Sequence, residues 1–162
     1  MAFMVADDIS ELIKAGLIWR AEHSWSMAAD ATLHFGFITS QRDMIALARE
    51  YFTFSTGIRV ELFAATFTGG SAAKTINRKL ALKDSAPPVQ FIQGVTPSAL
   101  GTPITGFELQ STSSNRVQKN GENEALIHPP QTSYVIRVTN TGTGNQLFTF
   151  SVDYREKIHG EY

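Results

Sequence analysis

Along much of the chain apolar and polar residues alternate with a step of two. Ile58, Val60 and Leu62 alternate with Arg59 and Glu61, and Leu33, Phe35 and Phe37 alternate with Thr32, His34 and Gly36. Successive side chains of a strand point to opposite faces, so the pattern predicts strands with one face on a core and one in water. Near the carboxyl end it recurs twice, at Tyr134, Ile136 and Val138 and at Phe148, Phe150, Val152 and Tyr154. Between those two runs lies Asn140-Thr141-Gly142-Thr143-Gly144-Asn145, whose glycines suit a tight connection, and the pair reads as a β-hairpin.

Breakers punctuate the runs at Gly69-Gly70-Ser71, Pro87-Pro88, Thr96-Pro97, Gly101-Thr102-Pro103 and Pro129-Pro130. Proline lacks the amide hydrogen that a sheet interior needs, which assigns these segments to loops and edges. Many short strands with frequent turn signals predict an all-β fold, an antiparallel jelly-roll-like β-sandwich. The stretch 111–124 is nearly all polar and reads as a long exposed connection or a hairpin tip.

Two stretches carry helical character. Asp8 is placed to cap a turn with Glu11 at the third helical position, Ile9, Leu12 and Ile13 forming the apolar stripe and Gly16 ending it. The chain accordingly divides into residues 1–17, an N-terminal arm or short helix, and residues 18–162, a single β-sandwich domain. Residues 42–50 are good helix formers, yet they run into the strand-like Tyr51-Phe52-Thr53-Phe54, a junction that propensity alone does not decide.

Composition narrows the function. At 162 residues the chain has the size of one domain and buries enough surface to build a core without staples. It has no cysteine, which excludes thiolate metal sites, iron-sulfur clusters and a cysteine nucleophile. Fourteen Lys and Arg against fifteen Asp and Glu leave a net charge of −1, so bulk attraction to nucleic acid or anionic membrane is not expected. No apolar run approaches the roughly 18 residues of a membrane helix. The first residues lack the basic flank and apolar core of a secretory signal, and no export is expected.

Chemistry is sparse. Gly69-Gly70-Ser71-Ala72-Ala73-Lys74-Thr75 resembles a phosphate-cradling loop but carries Ala73 where glycine must precede the lysine. His23, His34, His128 and His159 stand at no metal-ligand spacing, and read as surface or loop imidazoles. The close acidic pairs, Asp7 with Asp8 and Glu122 with Glu124, read as solvated rather than as a catalytic pair. Trp19, Trp25, Tyr51 and Tyr134 offer a sugar-stacking platform or, more commonly, core aromatics. No catalytic residue, cofactor or metal is expected. Residues 1–17 do carry exposed-looking apolar side chains, Phe3, Met4, Ile9, Leu12 and Ile13, which are the candidate partner-binding set.

A resemblance adds to this reading. Val60-Glu61-Leu62-Phe63, Gly69-Gly70-Ser71 and Thr75-Ile76-Asn77-Arg78-Lys79 resemble the strand, variable loop and Asn-Arg element of small head proteins of tailed bacteriophages. Glu124-Ala125-Leu126-Ile127-His128-Pro129, Tyr134-Val135-Ile136-Arg137-Val138-Thr139-Asn140 and Phe150-Ser151-Val152-Asp153-Tyr154 are similar to that family's later strands. The similarity spans residues 22–156 and departs from the family pattern at Leu62-Phe63-Ala64-Ala65 and at Lys79. It implies a capsid decoration or cement protein, non-enzymatic, that binds the outside of the shell and clamps neighbouring copies of the major capsid protein. It further implies a homo-oligomer on the capsid surface of the virion, made in the host cytoplasm, with no nucleic-acid or membrane partner. The alternative is a carbohydrate-binding jelly-roll module of a phage tail or fibre, which uses the same fold with an exposed aromatic platform.

Overall fold

The computed structural model describes residues 9–53, 57–109, 117–120 and 126–158. After a short helix α1 (Ile9–Lys14) come β1 (Trp19–Met27), β2 (Thr32–Ile38), β3 (Met44–Thr53), β4 (Ile58–Ala64), β5 (Phe67–Thr68), β6 (Ser71–Ala72) and β7 (Lys74–Asn77). A 3-10 turn (Leu80–Leu82) leads to β8 (Phe91–Gln93), β9 (Thr96–Pro97), β10 (Thr105–Leu109), β11 (Val117–Asn120), β12 (Leu126–His128), β13 (Ser133–Asn140) and β14 (Gln146–Glu156).

Two antiparallel sheets face each other. The first runs β11-β3-β14-β1-β7 with β12 also on β3, and the second runs β10-β4-β13-β2-β8-β6. If β11 and β12 are taken as one interrupted strand on β3, the eight principal strands in chain order are β1, β2, β3, β4, β10, β11/β12, β13 and β14. Four then lie in each sheet in the order first-eighth-third-sixth and second-seventh-fourth-fifth, which is the strand order of a jelly roll. The all-β sandwich expected from periodicity is therefore the fold observed.

The inner faces follow the alternation. Phe148, Phe150, Val152 and Tyr154 of β14 are buried opposite Trp25, His23, Ala21 and Trp19 of β1. From the second sheet come Phe35, Phe37, Ile58, Val60, Tyr134, Ile136 and Val138. Rings interlock across the gap, Phe35 against Trp25 at 4.5 Å and Phe150 at 5.7 Å and Phe107 against Tyr51 at 5.1 Å, while Phe37 stacks on Tyr134 at 5.1 Å and on Phe91 at 4.7 Å within the second sheet. Such offset and tilted pairs add to the area that they bury.

Several expectations need correction. β13 and β14 are not a hairpin: β13 pairs with β2 and β4, β14 with β1 and β3. Both strands carry an apolar face that must meet the same core, and placing them in opposite sheets buries both. Residues 42–50, though good helix formers, supply most of β3, because β14 offers a full-length partner and tertiary pairing outweighs helix propensity. Part of the polar stretch 111–124 is also strand, Val117–Asn120 pairing with Glu50–Thr53. By contrast, the glycine-rich segment rejected as a phosphate loop for want of glycine before Lys74 does run between strands, into β6 and β7, and so also lacks the helix N-terminus that such a loop requires.

The second face of β4 is not in water throughout. Phe63 and Val135 are fully buried on the outer side of the second sheet, under the segment that links β4 to β10. Phe67 of that segment lies so close over Gly36 that a Cβ there would sit 2.5 Å from its ring. The Arg137 guanidinium covers Phe63 at 4.8 Å while bonding Glu61 at 2.8 Å.

One β-bulge has a chemical consequence. The β3–β14 register shifts between Asp153, opposite Ala48, and Tyr154, opposite Ala46, leaving Leu47 as the extra residue. The slip turns Arg49 to the same face as buried Val152, toward the core.

Candidate partner interface

Helix α1 is six residues long, too short to persist unsupported. Its end is held by Gly16 at φ 75°, with the Gly16 N–H donating to Ile13 O at 2.9 Å and Leu17 N–H to Leu12 O at 3.0 Å, a Schellman closure. The Gly16 carbonyl in turn accepts from Asn77 Nδ2 at 2.7 Å, and Asn77 is buried with its Oδ1 accepting from Lys79 N–H. Arg78 N–H donates to Ile18 O at 2.9 Å. These bonds dock the segment entering β1 against the end of β7.

The docking brings two apolar elements together. A Cβ built on Gly16 would meet Leu82 Cδ1 at 2.7 Å, so the 3-10 turn packs on the helix end. Leu82 at this contact is 42% exposed, Leu80 of the same turn 71%, Leu17 beside Gly16 39%, and Ile9, at the opposite end of the helix, 48%. A single exposed leucine is ordinary, but Leu17, Leu80 and Leu82 are exposed on two segments that meet at Gly16, a concentration that makes them candidates for an interaction surface. Of the sequence-derived set, Ile9 is exposed, Leu12 and Ile13 are half-buried, and Phe3 and Met4 lie outside the described residues, as does the cap assigned to Asp8. Leu17, Leu80 and Leu82 were missed. The pair in Lys79-Leu80-Ala81-Leu82-Lys83, apolar between lysines, was the available signal.

The candidate chemical groups are dispersed. His23 and His34 line one groove together, His128 belongs elsewhere, and Glu122, Glu124 and His159 lie outside the described residues. Among the described residues no three His, Asp or Glu side chains gather as a metal site. Trp19, Tyr51 and Tyr134 are buried in the core, which leaves Trp25 as the half-exposed member of the proposed stacking platform.

His128 is not a surface imidazole. It is 6% exposed, edge-on to Tyr134 at 4.7 Å and Phe37 at 5.3 Å, and with Arg49 it lines a cavity of about 40 Å³ between the sheets. That volume suits water rather than a substrate. Burial, helped by the Arg49 charge, pushes the imidazole down to about 4.

Because the unfolded chain takes up this proton near the ordinary value of about 6.5, protonation favours unfolding. Stability from this group is complete above about pH 6.5 and falls as pH drops toward 4, by up to about 3 kcal/mol. Urea unfolding of wild type and His128→Phe at pH 7, 5.5 and 4 checks this. The variant keeps the ring packing, and its stability should fall less steeply; parallel losses would refute the assignment.

No protein-family model matches the chain, and no curated protein matches it. Among solved structures it is similar to the VP2 subviral particle of infectious bursal disease virus, with a TM-score of 0.24 and 11% identity over 87% of this chain and 41% of that one. It is also similar to the structure of the Gx strain of infectious bursal disease virus, with a TM-score of 0.16 and 11% identity over 83% of this chain and 40% of that one. The chain thus spans about two fifths of the length of either neighbour. The jelly-roll architecture rests on the strand order given above, not on these matches.

Proposed function

We propose that the chain is a non-enzymatic structural protein of a tailed-phage virion, a decoration or cement protein that sits on the outside of the capsid and clamps neighbouring major capsid subunits. The observation that carries the reading is the set of exposed aliphatic side chains, Ile9 and Leu17 on a docked rather than trailing segment and Leu80 and Leu82 on the turn packed against its end. The resemblance of residues 22–156 to phage head proteins supports it, and so does the sandwich itself, a rigid body able to present them. Anchoring through Gly16 and Asn77 orders these side chains before binding, which lowers the entropy lost on association.

The test is cosedimentation with preassembled empty capsids. The full-length chain is expected to bind shells and to bind isolated capsid subunits far less. Leu80→Asp and Ile9→Asp alter exposed side chains, so each should leave the melting temperature within a few degrees while weakening shell binding about tenfold or more. Failure of the full-length chain to bind any shell removes the function. Undiminished binding by both variants removes these side chains as its contact surface.

A further inference from the structure

The edge of the first sheet is open along the second half of β1. β7 pairs with β1 only through Trp19, Arg20, Ala21 and Glu22, while the β1–β14 register continues unbroken from Trp19 to Met27. Arg78 N–H donates to Ile18 O, so the backbone groups of Ile18 face the β7 side, and alternation along the strand turns those of Arg20, Glu22, Ser24 and Ser26 the same way. The last two find no neighbour there, because β6, just ahead of β7, pairs with β8 of the second sheet. Ser24 and Ser26 are exposed, and among the described residues no backbone hydrogen bond reaches them from this side.

Grooves flank this open edge on both faces. On the core side one of about 390 Å³ is lined by His23 and Trp25 of β1, Leu33 and Phe35 of β2, and Gly70 and Ser71 among others. On the opposite side one of about 460 Å³ is lined by His23, Ser24, Lys74, Thr149 and Ser151 among others. Native edge strands are protected by charge, proline or a bulge, yet His23-Ser24-Trp25-Ser26-Met27 has no Lys, Arg, Asp, Glu or Pro and no bulge. The second sheet continues two strands past β2, through β8 and β6, so another sandwich brought edge to edge would meet that overhang. A single extended segment would not, and added strands are a recurring mode of recognition.

We infer that this edge takes up the segment Ala2 to Ala6 of a second copy of the chain as an added strand, bonded to the N–H and C=O of Ser24 and Ser26. Eight residues precede Ile9, and fully extended they span about 26 Å. They set out from the far end of α1, a helix that has no buried residue and is anchored to its own sandwich at Gly16. The anchor is Asn77, opposite Trp19, so the chain's own segment would spend about 17 Å of its length passing β7 to Ser24, whereas a neighbouring copy brings its segment to the edge from outside. The composition fits: Met1-Ala2-Phe3-Met4-Val5-Ala6 carries no charged side chain, and in a strand Phe3 and Val5 share a face that would close over Trp25, Leu33 and Phe35. The contact needs no shell and stands or falls apart from the capsid reading.

Sedimentation equilibrium of the full chain from about 1 to 500 µM is expected to show reversible self-association. Ser26→Pro removes an edge N–H to which no described residue bonds, and Phe3→Asp puts a charge on the segment. Each should weaken association about tenfold or more while leaving the melting temperature within a few degrees. Ser24→Pro serves the same end if Ser26→Pro loses its melting transition. The two variants fail on different sides of the contact, so an equal mixture should recover association, the intact segment of Ser26→Pro pairing with the intact edge of Phe3→Asp. A full chain that stays monomeric up to about 500 µM overturns the inference, whether its Ser24 and Ser26 amides exchange freely or are protected by its own first residues. Association that either folded variant leaves unchanged overturns it too, as does a mixture of the two that recovers nothing.

Discussion

Asn140→Leu should be among the most damaging single substitutions in this protein, lowering unfolding free energy by about 4 kcal/mol. Asn140 is fully buried where the chain crosses from one sheet to the other. Its Nδ2 donates to Met27 O at 3.2 Å, Ala28 O at 2.9 Å and Gly144 O at 2.9 Å, while its Oδ1 accepts from Gly142 N–H at 2.9 Å and Gln146 Nε2 at 2.8 Å. One side chain therefore ties the β1–β2 turn to the β13–β14 crossing. Leucine fills a similar volume and satisfies none of these groups, and each buried partner left unpaired costs about 1 to 3 kcal/mol. At about 2 to 4 °C per kcal/mol for a domain of this size, the melting temperature should fall by roughly 10 °C. Calorimetry checks it; a shift under about 2 °C would mean that water replaces the amide.

Phe150→Ala should cost about 3 to 5 kcal/mol, a large part of the 5 to 15 kcal/mol that holds an ordinary domain together. Phe150 is 4% exposed at the centre of the first sheet's inner face, and its ring meets Phe35 at 5.7 Å, Tyr51 at 5.3 Å and Phe91 at 6.4 Å. Those partners come from three strands of both sheets, so they cannot all close on the space that the ring leaves. The loss is the transfer energy of the ring plus the cavity it vacates. Chemical denaturation gives the value directly. Phe150→Leu, which refills most of the volume, should recover more than half of it.

The two substitutions sit on opposite sides of what could be read in advance. Phe150 was legible: its step-two neighbours Phe148, Val152 and Tyr154 identify the buried face. Asn140 was not, because its residue type and its place beside Thr141-Gly142 suit an exposed turn equally well. Only the arrival of Met27 and Ala28, more than a hundred positions earlier, turns that amide into a buried crosslink.

The exposed aliphatic side chains proposed as the contact surface divide the same way. Ile9, Leu12, Ile13 and the stop at Gly16 follow from local spacing and capping. Leu80 and Leu82 join them through Asn77, whose bond to the Gly16 carbonyl spans 61 positions in the chain and leaves no trace in any window of sequence.

What the sequence determined by itself was whatever depends on neighbours within a few residues: the strands of β2, β4, β13 and β14 with their inward faces, the glycine that ends the first helix, and the turns at proline and glycine. Their physical basis is local, since the pleat sends alternate side chains to opposite faces and glycine alone enters positive φ without strain. The tertiary structure decided which strand lies beside which. It split β13 and β14 between sheets, made β3 a strand against its helix-forming composition, turned Arg49 inward through a bulge, and buried His128, Phe63 and Val135. Each of these depends on contacts between distant segments, where the energy of closing two sheets over one core exceeds the fraction of a kcal/mol per residue by which local preferences differ.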